Sequence, residues 1–133
     1  SKNKEVYLKN CEAFKTEIKD LQQKIRSLLS NSRSGQPFMV FHPSWGYFAE
    51  EFGLTQISVE VEGKEPGMKE MESIIRKAKE SRIRTIFVQP QFSRRTVEVI
   101  AGQLKAEIVI ADPLAEDWSG SLLSLAESLG KNE

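Results

Sequence analysis

Three polar residues share one local context in this 133-residue chain. His42, Gln89 and Asp112 each end a short apolar run and each precede a proline: Phe38-Met39-Val40-Phe41 before His42-Pro43, Ile86-Phe87-Val88 before Gln89-Pro90, and Ile108-Val109-Ile110-Ala111 before Asp112-Pro113. A proline there stops an extended segment and limits where the preceding residue can go. His42 is the sole histidine. A neutral imidazole is the commonest metal ligand and a possible general base, although a single histidine also serves as a hydrogen-bonded structural group. Asp112 offers a carboxylate, or it caps its own loop by accepting from nearby backbone N–H groups. Together they would make a mixed N/O donor pair suited to zinc or manganese. Two donors are half a site, and the chain holds no further histidine.

Other chemistries find little footing. Ser44 lies near His42, but Ser-Trp-Gly-Tyr is not a nucleophile elbow. No loop carries a glycine-rich phosphate-binding run. Cys11 falls on an apolar helical stripe and reads as packing. Arg94-Arg95 reads as a solvated face. Trp45 and Tyr47 read as core or site wall rather than as a platform for stacked bases. Asp117-Trp118, in the last loop, reads as a lid or a contact to a neighbouring lobe.

The elements that must position these residues alternate. Tyr7, Cys11, Phe14, Ile18, Leu21, Ile25 and Leu28 step by fours and threes, which predicts a first helix of about 25 residues. It either packs on a domain or acts as a strut. A polar loop, Ser30 to Gly35, follows. Phe38 to Phe41 reads as a strand buried on both faces. Pro43 suits the first turn of a helix closed by Gly53. Ile57 to Val61 alternates as a second strand. Pro66 opens a helix that ends near Ser81. Arg84 to Val88 is a third strand. Ser93 is a good N-cap for the helix carrying Val97 and Ile100. Glu107 to Ala111 is a fourth strand, and Leu122 to Leu129 mark a closing helix. The fold class is therefore α/β: a four-stranded parallel sheet of order 2-1-3-4, flanked by helices and preceded by a long helix. Ligands of such sheets sit beyond the carboxyl ends of the strands, where His42, Gln89 and Asp112 fall.

Composition narrows the classes. Lysine and arginine total 19, as do aspartate and glutamate, so the formal net charge is zero. That gives no bulk attraction to nucleic acid or to an anionic membrane. One cysteine excludes an internal disulfide framework. One cysteine and one histidine exclude a self-contained Cys/His zinc site, which takes about four ligands. The chain starts abruptly in a charged helical pattern, as a piece of a longer protein would.

The run Phe41-His42-Pro43-Ser44-Trp45-Gly46-Tyr47-Phe48, continuing to Phe52-Gly53-Leu54, resembles a segment of zinc/manganese-type solute-binding proteins, the extracytoplasmic receptors of metal ABC importers. Glu62-Gly63-Lys64-Glu65-Pro66, Ile86 to Ser93, and Ile110-Ala111-Asp112-Pro113-Leu114 recur there in the same order. The resemblance covers the whole chain and corresponds to the linking helix (1–33) plus the C-terminal α/β metal-binding lobe (34–133). It implies capture of a divalent transition metal, zinc first and manganese as the alternative, for delivery to a membrane permease. His42 and Asp112 would be metal ligands in a site left incomplete here, with Trp45, Tyr47 and Gln89 in the site wall. Members of that family often carry Glu-Pro or Glu-Ser where this chain has Gln89-Pro90, which sets position 89 apart from the ligands. The resemblance further implies a periplasmic or extracytoplasmic location, no enzyme activity and an N-terminal lobe supplying the remaining ligands; with that lobe missing, the apolar stripe from Tyr7 to Leu28 predicts weak self-association of the piece alone, and the neutral charge predicts no nucleic-acid partner. Two other readings compete: a small flavodoxin-like enzyme domain using His42 and Asp112, and an interaction module that dimerises through its first helix.

Overall fold

The structure is a computed structural model that describes residues 2–92 and 94–131. A long helix α1 (Lys2–Leu28) leads into β1 (Pro37–Val40), α2 (Gly46–Phe52), β2 (Thr55–Ser58), α3 (Met68–Glu80), β3 (Thr85–Val88), α4 (Arg94–Leu104), β4 (Glu107–Ile110) and α5 (Trp118–Gly130). The strands form one parallel sheet of order β2-β1-β3-β4, as the alternation predicts. Because all four run the same way, every strand's carboxyl end lies on one edge of the sheet.

Side chains alternate across the two faces of the pleat. Phe38, Val40 and Phe87 face a core shared with Leu21 and Ile25 of α1, Phe48 of α2, and Leu125 and Leu129 of α5. Met39, Phe41, Ile86 and Val88 face the other core, with Ala78 of α3 and Val97 and Ile100 of α4. The molecule is thus a three-layer α/β/α arrangement. Its two central strands are buried on both faces, which is why their sequences read as continuous apolar runs. β4 is an edge strand, and Ile110 at its end is 43% exposed.

Several local expectations shift. α2 begins at Gly46, after Pro43, and Pro66 precedes α3, whose N-cap is Gly67; both prolines lie in the approach to a helix rather than in its first turn. β2 lies at Thr55–Ser58, ahead of the Ile57–Val61 alternation, because Val61 instead bridges Lys64 across a tight turn at Glu62-Gly63. Gly53 closes α2 with φ 65°, a left-handed conformation that favours glycine. Asp117 is the N-cap of α5, its side chain accepting from the Gly120 N–H, so it belongs to that helix rather than to a lid. The N-cap expected at Ser93 lies outside the described residues.

The apolar stripe of α1 divides in two. Leu21 and Ile25 are buried, whereas Tyr7, Cys11 and Phe14 are exposed. α1 has 27 residues and α5, the helix it packs on, has 13. At about 1.5 Å per residue, α1 outruns its partner by about 20 Å. Cys11 therefore lies on the surface and not in packing. Where the helices do meet they are close: a Cβ added to Gly130 would lie 2.6 Å from the Leu28 carbonyl oxygen.

Candidate metal-ligand edge

His42, Gln89 and Asp112 follow β1, β3 and β4, so they sit at one edge of the sheet. β1 and β4 both neighbour β3. At about 4.8 Å between adjacent strands, their ends stand about 10 Å apart. Gln89 occupies the middle position between the other two.

His42 is the most closely supported of the three. Its Nδ1 lies 2.6 Å from Oε2 of Glu60, whose side chain is only 8% exposed. The ring stacks on Phe92, with centroids 5.4 Å apart and planes inclined by 21°. Phe92 in turn packs against Phe41. Gln89 is buried and donates from Nε2 to the Ser44 hydroxyl, while the Ser44 N–H donates to the His42 carbonyl. The backbone around the imidazole is thereby tied to the end of β3. The imidazole itself remains 42% exposed, and among the described residues its Nε2 has no hydrogen-bond partner.

Glu60 is the residue that sequence reading passed over. It was legible only through the strand register. β1 and β2 pair Val40 with Ser58, so two residues further on His42 meets Glu60. The pairing is continued by hydrogen bonds from Val59 N–H to the Val40 carbonyl and from Glu60 N–H to the Phe41 carbonyl. A strand order that places β2 beside β1 contains this neighbour relation, but nothing in the local sequence of Glu60 announces it.

Asp112 is held within its own loop. Its Oδ1 accepts from the Leu114 N–H at 2.9 Å, a turn closed by an aspartate side chain. Its carbonyl accepts from the Ser121 hydroxyl, which links the loop to α5. No cationic side chain among the described residues lies within ion-pair distance of it. Of the two aromatic residues expected in the wall, Trp45 is buried edge-on to Phe48 in the α1–α5 core, and Tyr47 is 90% exposed on α2.

The edge offers one oriented imidazole and, besides the Glu60 carboxylate that holds it, the carboxylate of Asp112. Among the described residues no three His, Cys, Asp or Glu side chains converge to hold a metal ion. No helix among them is long and apolar enough to cross a membrane.

Comparison with known proteins gives the same picture on a larger scale. A crystal structure of ZnuA superposes with a TM-score of 0.89 at 39% identity, covering 96% of this chain and 50% of that one. A ZnuA deletion mutant with zinc bound matches with a TM-score of 0.86, also at 39% identity, over 96% of this chain and 49% of that one. The high-affinity zinc uptake system protein ZnuA of Brucella abortus is 30% identical over 114 residues, 84% of this chain and 34% of that protein. The chain therefore spans between a third and a half of the length of these relatives. The family profile described as ZnuA, zinc-uptake complex component A, periplasmic, matches residues 1–129, and on that match the chain belongs to this family of solute-binding proteins.

Proposed function

We propose that this chain is the C-terminal metal-binding lobe (34–133), with the helix that links it to a second lobe (1–33), of an extracytoplasmic zinc receptor serving an ABC permease. The observation that carries the reading is the placement of His42 and Asp112 at the carboxyl edge of one parallel sheet, in a chain whose relatives are named for zinc uptake. Zinc is cargo here. His42 contributes a neutral imidazole nitrogen through Nε2, and Asp112 a carboxylate oxygen. A second lobe supplies the rest of a shell that takes about four protein or water ligands. No covalent bond is made or broken, so the chain is not an enzyme. Both donors must be deprotonated to bind, so capture weakens in acid.

Zinc titration tests this. A two-lobed protein containing this lobe binds zinc tightly, and His42→Ala and Asp112→Ala each weaken it. The chain alone binds weakly, because water fills most of the shell. Submicromolar, stoichiometric binding by the chain alone, unaffected by either substitution, would assign the ligands elsewhere.

The exposed half of α1 supports a second expectation. Val6, Tyr7, Leu8 and Phe14 are each more than half exposed on one stretch of helix. Such a surface favours a partner, and for the chain alone that partner is a second copy. Sedimentation is expected to show weak, concentration-dependent association that Phe14→Glu removes. A chain that stays monomeric at millimolar concentration rejects it.

A further inference from the structure

We propose that Glu60 is a positioning residue that selects which nitrogen of His42 is offered to a metal; this deepens the zinc-capture reading and rests on it. An ionised carboxylate has only acceptor oxygens, so the proton shared at 2.6 Å belongs to the imidazole Nδ1. In a neutral ring this leaves Nε2 without a proton and with its lone pair free. Nε2 has no partner among the described residues, and the side chain is exposed enough to meet a ligand. Glu60 sits deep beside the strand ends, and its backbone is pinned to Phe41 by the extended β1–β2 pairing. Phe92 closes the remaining freedom by stacking on the ring. Hydrogen bonding to one edge and stacking on one face together fix both the tautomer and the plane of the ring. An imidazole free in water interconverts between two tautomers and turns about its side-chain bonds. Metal-binding histidines commonly give their other N–H to a carboxylate, and loss of such a partner lowers metal affinity about 10- to 100-fold.

The chain is suited to a direct test, because His42 is its only histidine and its imidazole nitrogens are the only ones in a nitrogen-15 spectrum. Long-range proton–nitrogen correlation is recorded on the metal-free chain in mildly alkaline buffer. The expected result is a pyrrole-like Nδ1 and a pyridine-like Nε2. Glu60→Gln preserves the side-chain volume and one carbonyl acceptor, so it retains most of that pattern. Glu60→Met removes the acceptor and lets the Nε2–H tautomer appear. If the wild-type ring carries its proton on Nε2, or if Glu60→Met leaves the spectrum unchanged while the chain stays folded, the proposal is overturned. Should Glu60→Met fail to fold, the wild-type spectrum still decides the matter.

Zinc chloride is then added to the same sample. Movement of the Nε2 resonance, with Nδ1 still protonated, supports the complete proposal. If zinc in millimolar excess, enough to occupy a weak site, moves neither nitrogen, the assignment of His42 as a zinc ligand fails and that of Glu60 to zinc capture fails with it. The tautomer measured without metal still shows separately whether Glu60 orients the ring. A tautomer opposite to the expected one, with zinc still moving a ring nitrogen, overturns the role of Glu60 and leaves the metal reading standing.

Discussion

His42 and Asp112 stand on the same edge of one sheet, yet the fold holds them in different ways. His42 follows β1, an interior strand, and is supported from three directions by residues distant in sequence: Glu60 from the end of β2, Phe92 from the loop after β3, and Gln89 through Ser44. Asp112 follows β4, an edge strand, and among the described residues its carboxylate bonds only within its own loop. On the proposed reading, one donor is held by long-range contacts before any ligand arrives, and the carboxylate of the other is held by a local one. If both residues bind zinc as proposed, the imidazole makes its contact without reorganisation, and the less supported carboxylate follows it.

The sharpest way to break this comparison is through the strands themselves. Phe87 on β3 is fully buried, edge-on to Phe38. Replacing it with alanine leaves a cavity in the central layer and costs about 3–5 kcal/mol. Ile110→Ala at the end of β4 costs less, about 1 kcal/mol, since 43% of its surface is already in contact with water. Urea denaturation measures both. Equal losses would mean that the Asp112 side is as firmly built as the His42 side.

The next largest difference concerns zinc capture in the two-lobed protein. His42→Ala removes a pre-positioned donor and lowers affinity by more than about 100-fold, beyond the range for an outer-shell change. Asp112→Asn keeps one oxygen on an adaptable loop and lowers affinity about 10-fold, as for a weakened ligand. Competition against a chelator of known affinity reads both values. A larger loss at Asp112 than at His42 would reverse the order proposed here.

This asymmetry also marks what was legible in the sequence. β1 and β3 were plain because burial on both faces leaves uninterrupted apolar runs; the alternation of elements gave the parallel sheet, and the continuity of the first run put β1 inside it. His42, Gln89 and Asp112 could be placed on one edge because a parallel sheet brings its carboxyl ends together. Glu60 could not be recognised locally, since its role comes from register with a strand some 18 residues away. Cys11 reads as packing but is exposed for a different reason. Helical periodicity tells which face is apolar but not how far the partner helix extends, and α5, with 13 residues against 27, leaves Cys11 uncovered.

The smallest effect reaches the Asp112 side from the outside. Trp118 is the first residue of α5, just beyond the Asp112 loop, and it meets Phe14 of α1 with ring centroids 6.1 Å apart and planes inclined by 64°. An edge-to-face pair of this kind contributes about 0.5–1.5 kcal/mol beyond its area when buried. Here Phe14 is 51% exposed and Trp118 38%, which puts the contribution at or below the lower bound. The ring pair therefore accounts for about 0.5 kcal/mol or less of what Trp118→Ala costs. Its local consequence is more telling. The Ser121 hydroxyl that holds the Asp112 carbonyl lies in the first turn of α5, so loosening the start of that helix loosens the loop. Amide exchange quickens at Leu114 and Ala115, whose N–H groups donate to the Asp112 side chain and carbonyl. Exchange at Phe41 and Glu60 is unchanged, because β1 and β2 have no part in this contact. If Trp118→Ala quickened exchange around His42 as much as around Asp112, the two donors would belong to one cooperative unit and the division between a fixed side and an adjustable side would not hold.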